Sequence, residues 1–430
     1  MGDGYFEVQL EKLDKVGAKQ LPEGADAYGT AKALVDGTEV SFEGELFDCV
    51  NKDVDSVRGQ FVEVFHDIEK ELRRAAKAIL EIARRYREAD GQDDETPSVP
   101  SPAPQPGGYR KSPGTAVIDI EADLNHLADL LGQLVPQTDH WTQDWANGLE
   151  LFFSPGSYLI GGTKPVTDGA NAIAGHALVP YPVDKLRAAF GPPTEGSAEP
   201  AERLRDSFDA ARTALIEDFE VTIGSVKDTI TDWSGDTAEN FKDYVANVVD
   251  AKDLQVDALK AAWAIMDMYA QVISTAHSDV QDLLDVSISQ AEARLSGKRS
   301  EQVDGVVTAV STAVTAGAAS VSSIVKWAAE GLAKKELKAA FKSDEELPGA
   351  IIEAANALQD TISDRVDECQ EQLNTLLGVL GGGELTEKVT QVKPEEPLIL
   401  NGAHFDPAEF GLPDDLEPAG VEDKVDTKAL

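Results

Sequence analysis

The sequence predicts an all-α protein of long antiparallel helical hairpins or a bundle, with an elbow at a Trp-Ser-Gly tripeptide and a separate N-terminal helical unit. Apolar residues recur at three- and four-residue steps on both sides of Trp233-Ser234-Gly235, which is the spacing of one buried helical face. A proline-rich stretch divides the first helical patterns from the rest of the chain. With 430 residues, the chain can form two or three domains and a sizeable core.

The elbow at Trp233 joins two helical patterns, and we assign the hairpin to residues 198–299. Gly235 can adopt the positive φ that closes a helix, and Asp236 or Thr237 can cap the helix that follows. The second helix can continue to Leu295, which at ~1.5 Å per residue gives a rod of about 90 Å. The apolar positions are Leu204, Phe208, Leu215, Phe219, Ile223, Val226 and Ile230 before the elbow, and Phe241, Val245, Val248, Val249, Leu259, Trp263 and Met266 after it.

A second motif, Tyr86-Arg87-Glu88-Ala89-Asp90, ends a helix that is predicted from about Val54 to Asp90. Tyr86 and Asp90 are four residues apart, so both project from one helical face and a partner groove could contact both. This helix belongs to a predicted N-terminal unit of residues 1–93, whose turn is marked by Gly37 and Gly44.

Together the two motifs resemble the WXG100 superfamily, the helical-hairpin proteins that type VII (ESX) secretion systems export. The resemblance covers residues 200–295 directly and 1–93 weakly. It implies that Tyr86 and Asp90 form an export signal, and that Trp233 and Gly235 hold the hairpin and contribute to a partner or oligomer surface. In the family, W-x-G precedes Y-x-x-x-D/E within one hairpin. Here the order is reversed, so either residues 1–93 form a degenerate hairpin or one motif is coincidental.

The remaining chain divides by composition. Residues 94–115 are a proline-rich linker, and residues 116–383 form a helical bundle that contains the W-x-G hairpin and a last helix over 350–380. Within the bundle we expect a helix over 116–150 and a short one near 184–190. Residues 384–430 are acidic and rich in proline, and we expect them to be disordered.

The segment from Gly305 to Val325 has no charged residue and lies in a predicted helix of small apolar residues over 303–335. Its length matches a bilayer span, although seven Ser and Thr residues make it only mildly apolar. Trp327 would then be an interfacial flank. Two interpretations stay open: a helix buried in the bundle, and an element that inserts into membranes.

The formal net charge is −40, from 78 acidic and 38 basic residues. Such a charge argues against a nucleic-acid partner, because phosphate binding needs a basic face. The basic stretch from Arg73 to Arg87 alternates with glutamates, which favours a helix face of ion pairs in solvent. The first residues lack a cleavable secretory signal, a pattern that fits both export by a type VII system and a cytoplasmic location. Cys49 and Cys369 could be two free thiols or one disulfide.

Catalytic motifs are absent from the sequence. Six histidines show no H-x-x-x-H or H-E-x-x-H spacing, and no G-x-S-x-G elbow occurs. We therefore expect a non-enzymatic protein with no cofactor or metal, a substrate or assembly component of a type VII system that acts by helix–helix binding. Its expected partners are the secretion machinery, a helical protein or a second copy of the chain. A membrane-active helical protein that uses residues 305–325 and a cytoplasmic or phage-like scaffold are the alternatives.

Overall fold

The computed structural model describes residues 10–89, 96–104, 118–134, 181–296, 305–311, 333–339 and 346–382, and these are mostly helical, as predicted. Buried apolar side chains from all the long helices form one continuous hydrophobic core. The elements are α1 (Leu21–Asp36), α2 (Asn51–Ala89), α3 (Glu121–Leu134), α4 (Val183–Phe190), α5 (Glu199–Ile223), α6 (Val226–Thr229), α7 (Asp236–Leu295), β1 (Gly305–Ser311), β2 (Ala333–Ala339) and α8 (Leu347–Gly382), with a π-helical turn (Val16–Gln20) and two 3₁₀ turns (Asp48–Val50 and Pro192–Thr194).

The first helical hairpin pairs α1 with α2. Residues 10–15 are helical and continue through the π-helical turn into α1. Ion pairs join Lys32 to Glu69 at 2.7 Å and Asp26 to Arg73 at 2.6 Å, so the two helices are antiparallel. The chain reverses between residues 37 and 50, the region that Gly37 and Gly44 indicated. An N-terminal hairpin without a W-x-G turn is therefore present.

This hairpin is not the separate unit that the sequence predicted, because the opposite side of α1 packs on α5. The Tyr28 ring meets the Phe219 ring edge-on at 5.4 Å, and Ser207 Oγ donates a 2.8 Å hydrogen bond to the Leu34 carbonyl. Helix α1 is buried on two sides, since Ala25, Ala27, Tyr28 and Ala31 are each at most 2% exposed. The hairpin cannot bury this second side alone.

Helices α5 and α7 form the second hairpin. Arg205 Nη1 lies 2.9 Å from Asp267 Oδ1, and Lys252 Nζ lies 3.0 Å from Glu220 Oε2, which makes the helices antiparallel. Helix α7 is 60 residues long and ends at Leu295. It also contacts α3, α8 and β1. One long helix therefore touches most of the elements that follow the first hairpin.

Helices α3 and α8 pack against α7, and the short helix α4 contacts both α3 and α8. Arg187 of α4 forms an ion pair of 2.7 Å with Glu121 of α3, and the Gln359 amide donates 2.7 Å to the Ala189 carbonyl. Helix α8 agrees with the last helix predicted over 350–380 and extends slightly beyond it at both ends. The short helix expected near residues 184–190 is also found.

The helix predicted over 303–335 is wrong at both described ends of that segment. Gly305–Ser311 and Ala333–Ala339 are strands that pair antiparallel, with Thr308 opposite Glu336. β1 is rich in Val and Thr, whose branched Cβ restricts the side chain in a helix and favours an extended backbone. Val325 and Trp327 lie outside the described residues, as does the predicted tail of 384–430. Within the described residues, no helix is both long and apolar enough to cross a membrane.

The described part of the proline-rich stretch, residues 96–104, has no regular secondary structure. It lies against the first hairpin, since the Ala103 N–H donates 3.1 Å to Asp26 Oδ1 and Thr96 Oγ1 accepts from Arg87 Nη1 at 2.6 Å. Val99 packs against the core. This part of the linker therefore follows the surface of α1 and α2 and does not separate two units.

Candidate interaction site at Tyr86 and Trp233

Tyr86 lies near the end of α2 and is buried, with 3% of its surface exposed. The apolar side chains at Ile79, Ile82 and Ala83 are buried on the same helix. The spacing of these residues places Tyr86 on the core side of α2. Asp90, its predicted partner in the motif, lies outside the described residues.

Trp233 lies in the short connection between α6 and α7 and is 4% exposed. Its backbone is held at both ends: the N–H donates 3.0 Å to the Ile230 carbonyl, and its own carbonyl accepts 2.9 Å from Lys242 Nζ. Gly235 has φ of 104°, the positive value that the sequence indicated, and it occupies the N-cap position of α7 itself. The predicted N-caps at Asp236 and Thr237 are thus already inside the helix, because the turn at Gly235 redirects the chain one residue earlier.

The two motifs meet in the fold. Burial raises the pKa of Tyr86, and the indole of Trp233, close to the phenol oxygen, offsets part of that rise. The indole Nε1–H is itself buried without a well-aligned acceptor among the described groups. The indole N–H and the phenol oxygen therefore lie close together without the alignment of a good hydrogen bond.

Two further aromatic rings extend this pair along the first turns of α7. The Phe241 ring centroid lies 6.0 Å from that of Trp233 and 5.9 Å from that of Tyr244. Burial also raises the pKa of Tyr244, and the negative charge of Glu71 adds to the rise. We call Tyr86, Trp233, Phe241 and Tyr244 the aromatic cluster. It fixes the start of α7 against the end of α2.

Ion pairs surround the aromatic cluster. Lys12 pairs with Asp232, the residue before Trp233, and Arg87, the residue after Tyr86, pairs with Asp14. Arg87 also donates to Thr96, the first described residue after α2. Both motifs are therefore tied to the helical residues that precede α1. Sequence reasoning missed Lys12 and Asp14, since single charged residues in a weak helical pattern carry no signal of their partner.

The basic stretch of α2 is neutralised within the helix. Arg84 and Arg85 both pair with Glu81, at 2.6 and 3.0 Å. Hydrogen bonds from Arg84 are the main reason that the pKa of Glu81 falls to about 2. Arg73 pairs with Glu69 of the same helix and also with Asp26 of α1. A solvated face of ion pairs therefore accounts for this stretch, as the alternating charges predicted.

The described residues contain no group of three His, Cys, Asp or Glu side chains placed to hold a metal ion. A groove of about 410 Å³ runs between α5 and α7, and its lining contains no histidine or cysteine. Arg205, which lines it, is paired with Asp206 and Asp267. The groove is thus an assembly of carboxylates and hydroxyls around one neutralised arginine.

Comparison with protein-family models, curated proteins and solved structures gave no match. Functional inference for this chain therefore depends on its own residues and their geometry. The aromatic cluster is the place where residues of both sequence motifs lie together.

Proposed function

We propose that this protein is a non-catalytic helical substrate or assembly component of a type VII (ESX-like) secretion system, and that it acts through helix–helix binding. The observation that carries the proposal is the contact between Tyr86 and Trp233. In the sequence the two motifs belong to different helical hairpins and appear in reversed order. In the folded chain the two motifs lie close together, which supports treating them as one site despite the reversed order.

The burial of both rings defines what a partner would contact. Neither the phenol nor the indole offers a free face, so we infer that they position the surface around them. Exposed polar residues border the cluster on both sides: Glu88 at the end of α2, and Asp232 and Ser234 beside Trp233. A partner helix that docks beside the aromatic cluster would therefore contact a rim of polar side chains, and the buried rings would hold that rim in position.

The proposal assigns separate roles to the two residues of the Y-x-x-x-D motif. Tyr86 holds the end of α2 in place through packing, and Asp90 provides the charge that a receptor recognises. A charged group at the border of an interface governs partner choice more than raw affinity. Loss of the Asp90 charge should therefore stop recognition while leaving the fold unchanged.

The experiment measures export of the full chain from its host, with and without the type VII ATPase. Asp90→Asn is compared with Asp93→Asn, which removes the same charge outside the motif spacing. We expect the ATPase to be required for the protein to appear in the medium, Asp90→Asn to stay in the cells, and Asp93→Asn to be exported normally. Retention of the unaltered protein in cells that contain the ATPase would overturn the proposal and favour a cytoplasmic scaffold.

A further inference from the structure

The chain has two cysteines, and both lie where the turn before α2 packs on α8. Cys49 is in the 3₁₀ turn Asp48–Val50 and is exposed, whereas Cys369 is in α8 and fully buried. Residues of this turn and of α8 approach one another to Cα separations of 8 Å or less. Disulfides in proteins join residues whose Cα atoms are about 4.4–6.8 Å apart, so this packing brings the two elements close to the range that a bridge requires.

The residue after Cys369 fixes the register of this contact. The Gln370 amide donates 2.7 Å to Asp53 Oδ2 and also reaches the carbonyl oxygen of Cys49 at 3.5 Å. The Cys49 backbone therefore lies beside the helical turn that carries Cys369. Helices α2 and α8 run side by side in the same direction from this point. Gln370 lies near Asp53, and Gly381, later in α8, lies near Gln60, later in α2.

A buried phenol lies against the same junction. Tyr269 of α7 donates a 2.7 Å hydrogen bond to the Phe47 carbonyl, two residues before Cys49. Phe42 meets the Tyr269 ring edge-on at 5.0 Å. The pKa of Tyr269 is raised by burial and further by both thiols, which places Cys369 and Cys49 around one side chain. The loop from Phe42 to Val50 is thus held in place before any bond between the sulfurs forms.

We propose that Cys49 and Cys369 are an oxidisable pair, and that a disulfide between them joins the loop before α2 to α8 covalently. A small-molecule disulfide such as oxidised glutathione is the oxidant. The Cys49 thiolate attacks it to form a mixed disulfide and releases one glutathione thiolate. The Cys369 thiolate then attacks the Cys49 sulfur, forms the intramolecular disulfide and releases the second glutathione thiolate. Two protein thiols are oxidised, and one external disulfide is reduced to two thiols.

The order of attack follows from exposure, because a bulky oxidant reaches only Cys49. Burial raises the pKa of both thiols, with the carboxylates of Asp367, Asp48 and Asp53 adding to the rise at Cys49 and that of Glu368 at Cys369, so little thiolate is present at neutral pH. The rate of oxidation should therefore rise about tenfold from pH 7 to pH 8. A cytoplasmic glutathione pool would leave the pair reduced, and an oxidising compartment would close it. The proposal does not depend on how the protein leaves the cell.

The test treats the folded full-length protein with oxidised glutathione at pH 8, followed by thiol counting and intact mass. We expect the loss of both reactive thiols, a mass decrease of two hydrogens with no glutathione adduct, and a melting temperature higher by roughly 5 °C that reverts on reduction. Cys49→Ser should show no such shift under the same treatment.

Cys369→Ser could lower stability by itself, so Cys369→Ala provides a second variant with a small apolar side chain. In both variants Cys49 should accumulate as the mixed disulfide with glutathione. The same mixed disulfide in the unaltered protein, with Cys369 reactive only after unfolding, would overturn the proposal. Dimers linked through Cys49 would overturn it as well.

Discussion

The indole of Trp233 lies beside the phenol of Tyr86, although four of the described helices, α3 to α6, separate the two residues along the chain. Their contact closes the end of α2 onto the start of α7, and the adjacent ion pairs of Asp232 with Lys12 and of Arg87 with Asp14 tie both to the first helical residues. The first helical residues, the end of α2 and the start of α7 are thus held together at one small region of the fold.

Replacement of Trp233 by alanine should destabilise the protein by ~3–5 kcal/mol, because the ring is almost fully buried and a cavity would remain. Chemical denaturation followed by circular dichroism measures the change. Trp233→Phe keeps most of the apolar contact and should cost less than half as much. An unchanged unfolding midpoint in the alanine variant would show that the ring is not packed in solution.

Replacement of the whole Tyr86 side chain should cost more than removal of its hydroxyl alone, since the ring is almost fully buried. Tyr86→Ala is therefore expected ~3–5 kcal/mol below the unaltered protein, and Tyr86→Phe about 0.5–1.5 kcal/mol below it, the contribution of one hydrogen bond. A double-mutant cycle of Tyr86→Ala with Trp233→Ala should give a coupling energy of about 0.5–1.5 kcal/mol. Strict additivity of the two alanine variants would contradict the contact.

Gly24 should not tolerate alanine, because a Cβ at this position would lie 2.6 Å from Ile223 of α5. Overpacking of this kind costs about 1–3 kcal/mol. The matched control is Gly59→Ala in α2, where a Cβ would have no neighbour within 4 Å. The control should stabilise the protein by roughly 0.5–1 kcal/mol, since alanine favours the helix. Opposite signs for the two variants in thermal melts would establish the close approach of α1 and α5.

Glu81 should stabilise the fold near neutral pH and lose that effect in acid. Its pKa falls from the ordinary 4.5 to about 2 through its hydrogen bonds with Arg84, so the folded state holds the charged form more strongly than the unfolded state does. The contribution is complete above pH 4.5 and disappears as pH falls towards 2. The stability difference between the unaltered protein and Glu81→Gln should therefore shrink over this range. A difference that stays constant with pH would argue against the ion pair.

His277 should produce a loss of stability on mild acidification. Burial lowers its pKa below the ordinary 6.5, partly opposed by the backbone of Gly196. The contribution of the neutral ring to stability is complete above pH 6.5. Below that pH it is lost, because the histidine is protonated more readily in the unfolded chain than in the folded chain. The free energy of unfolding should then fall by at most about 1.4 kcal/mol per pH unit.

Denaturation at pH 7 and pH 5 tests this expectation. His277→Leu should reduce the difference between the two pH values, whereas the same change at the exposed His66 should leave it as it is. Equal behaviour of the two variants would show that His277 is not buried in the neutral form.

The long helices could be predicted because each has a continuous stripe of large apolar residues. The regular spacing from Phe241 to Met266 gave the course of α7, and its end at Leu295 agreed as well. Gly235 could be singled out by its conformational freedom, and it has a positive φ of 104°.

The pairing of α1 with α5 could not be predicted, because α1 approaches α5 through small residues such as Gly24 beside the ring of Tyr28. Small residues give a weak periodic signal. They permit two helices to approach closely, but the sequence does not indicate which two helices those are. The candidate site has the same limit. Tyr86 and Trp233 were each found as motifs, but their contact depends on how α2 and α7 pack. The strand Gly305–Ser311 was missed because it lies in a long uncharged segment, and the length of such a segment does not distinguish a buried helix from a strand.

Burial of α1 on two sides has a consequence for the order of events during synthesis. The ribosome delivers α2 shortly after α1, but α5 ends only at Ile223. At a translation rate of ~5–20 residues per second, the side of α1 that contains Tyr28 and Ala31 stays uncovered for on the order of ten seconds before α5 is complete. A nascent hairpin with an uncovered apolar side is a target for chaperones and a source of aggregation. Slowing translation between α2 and α5 should therefore lower the yield of folded protein.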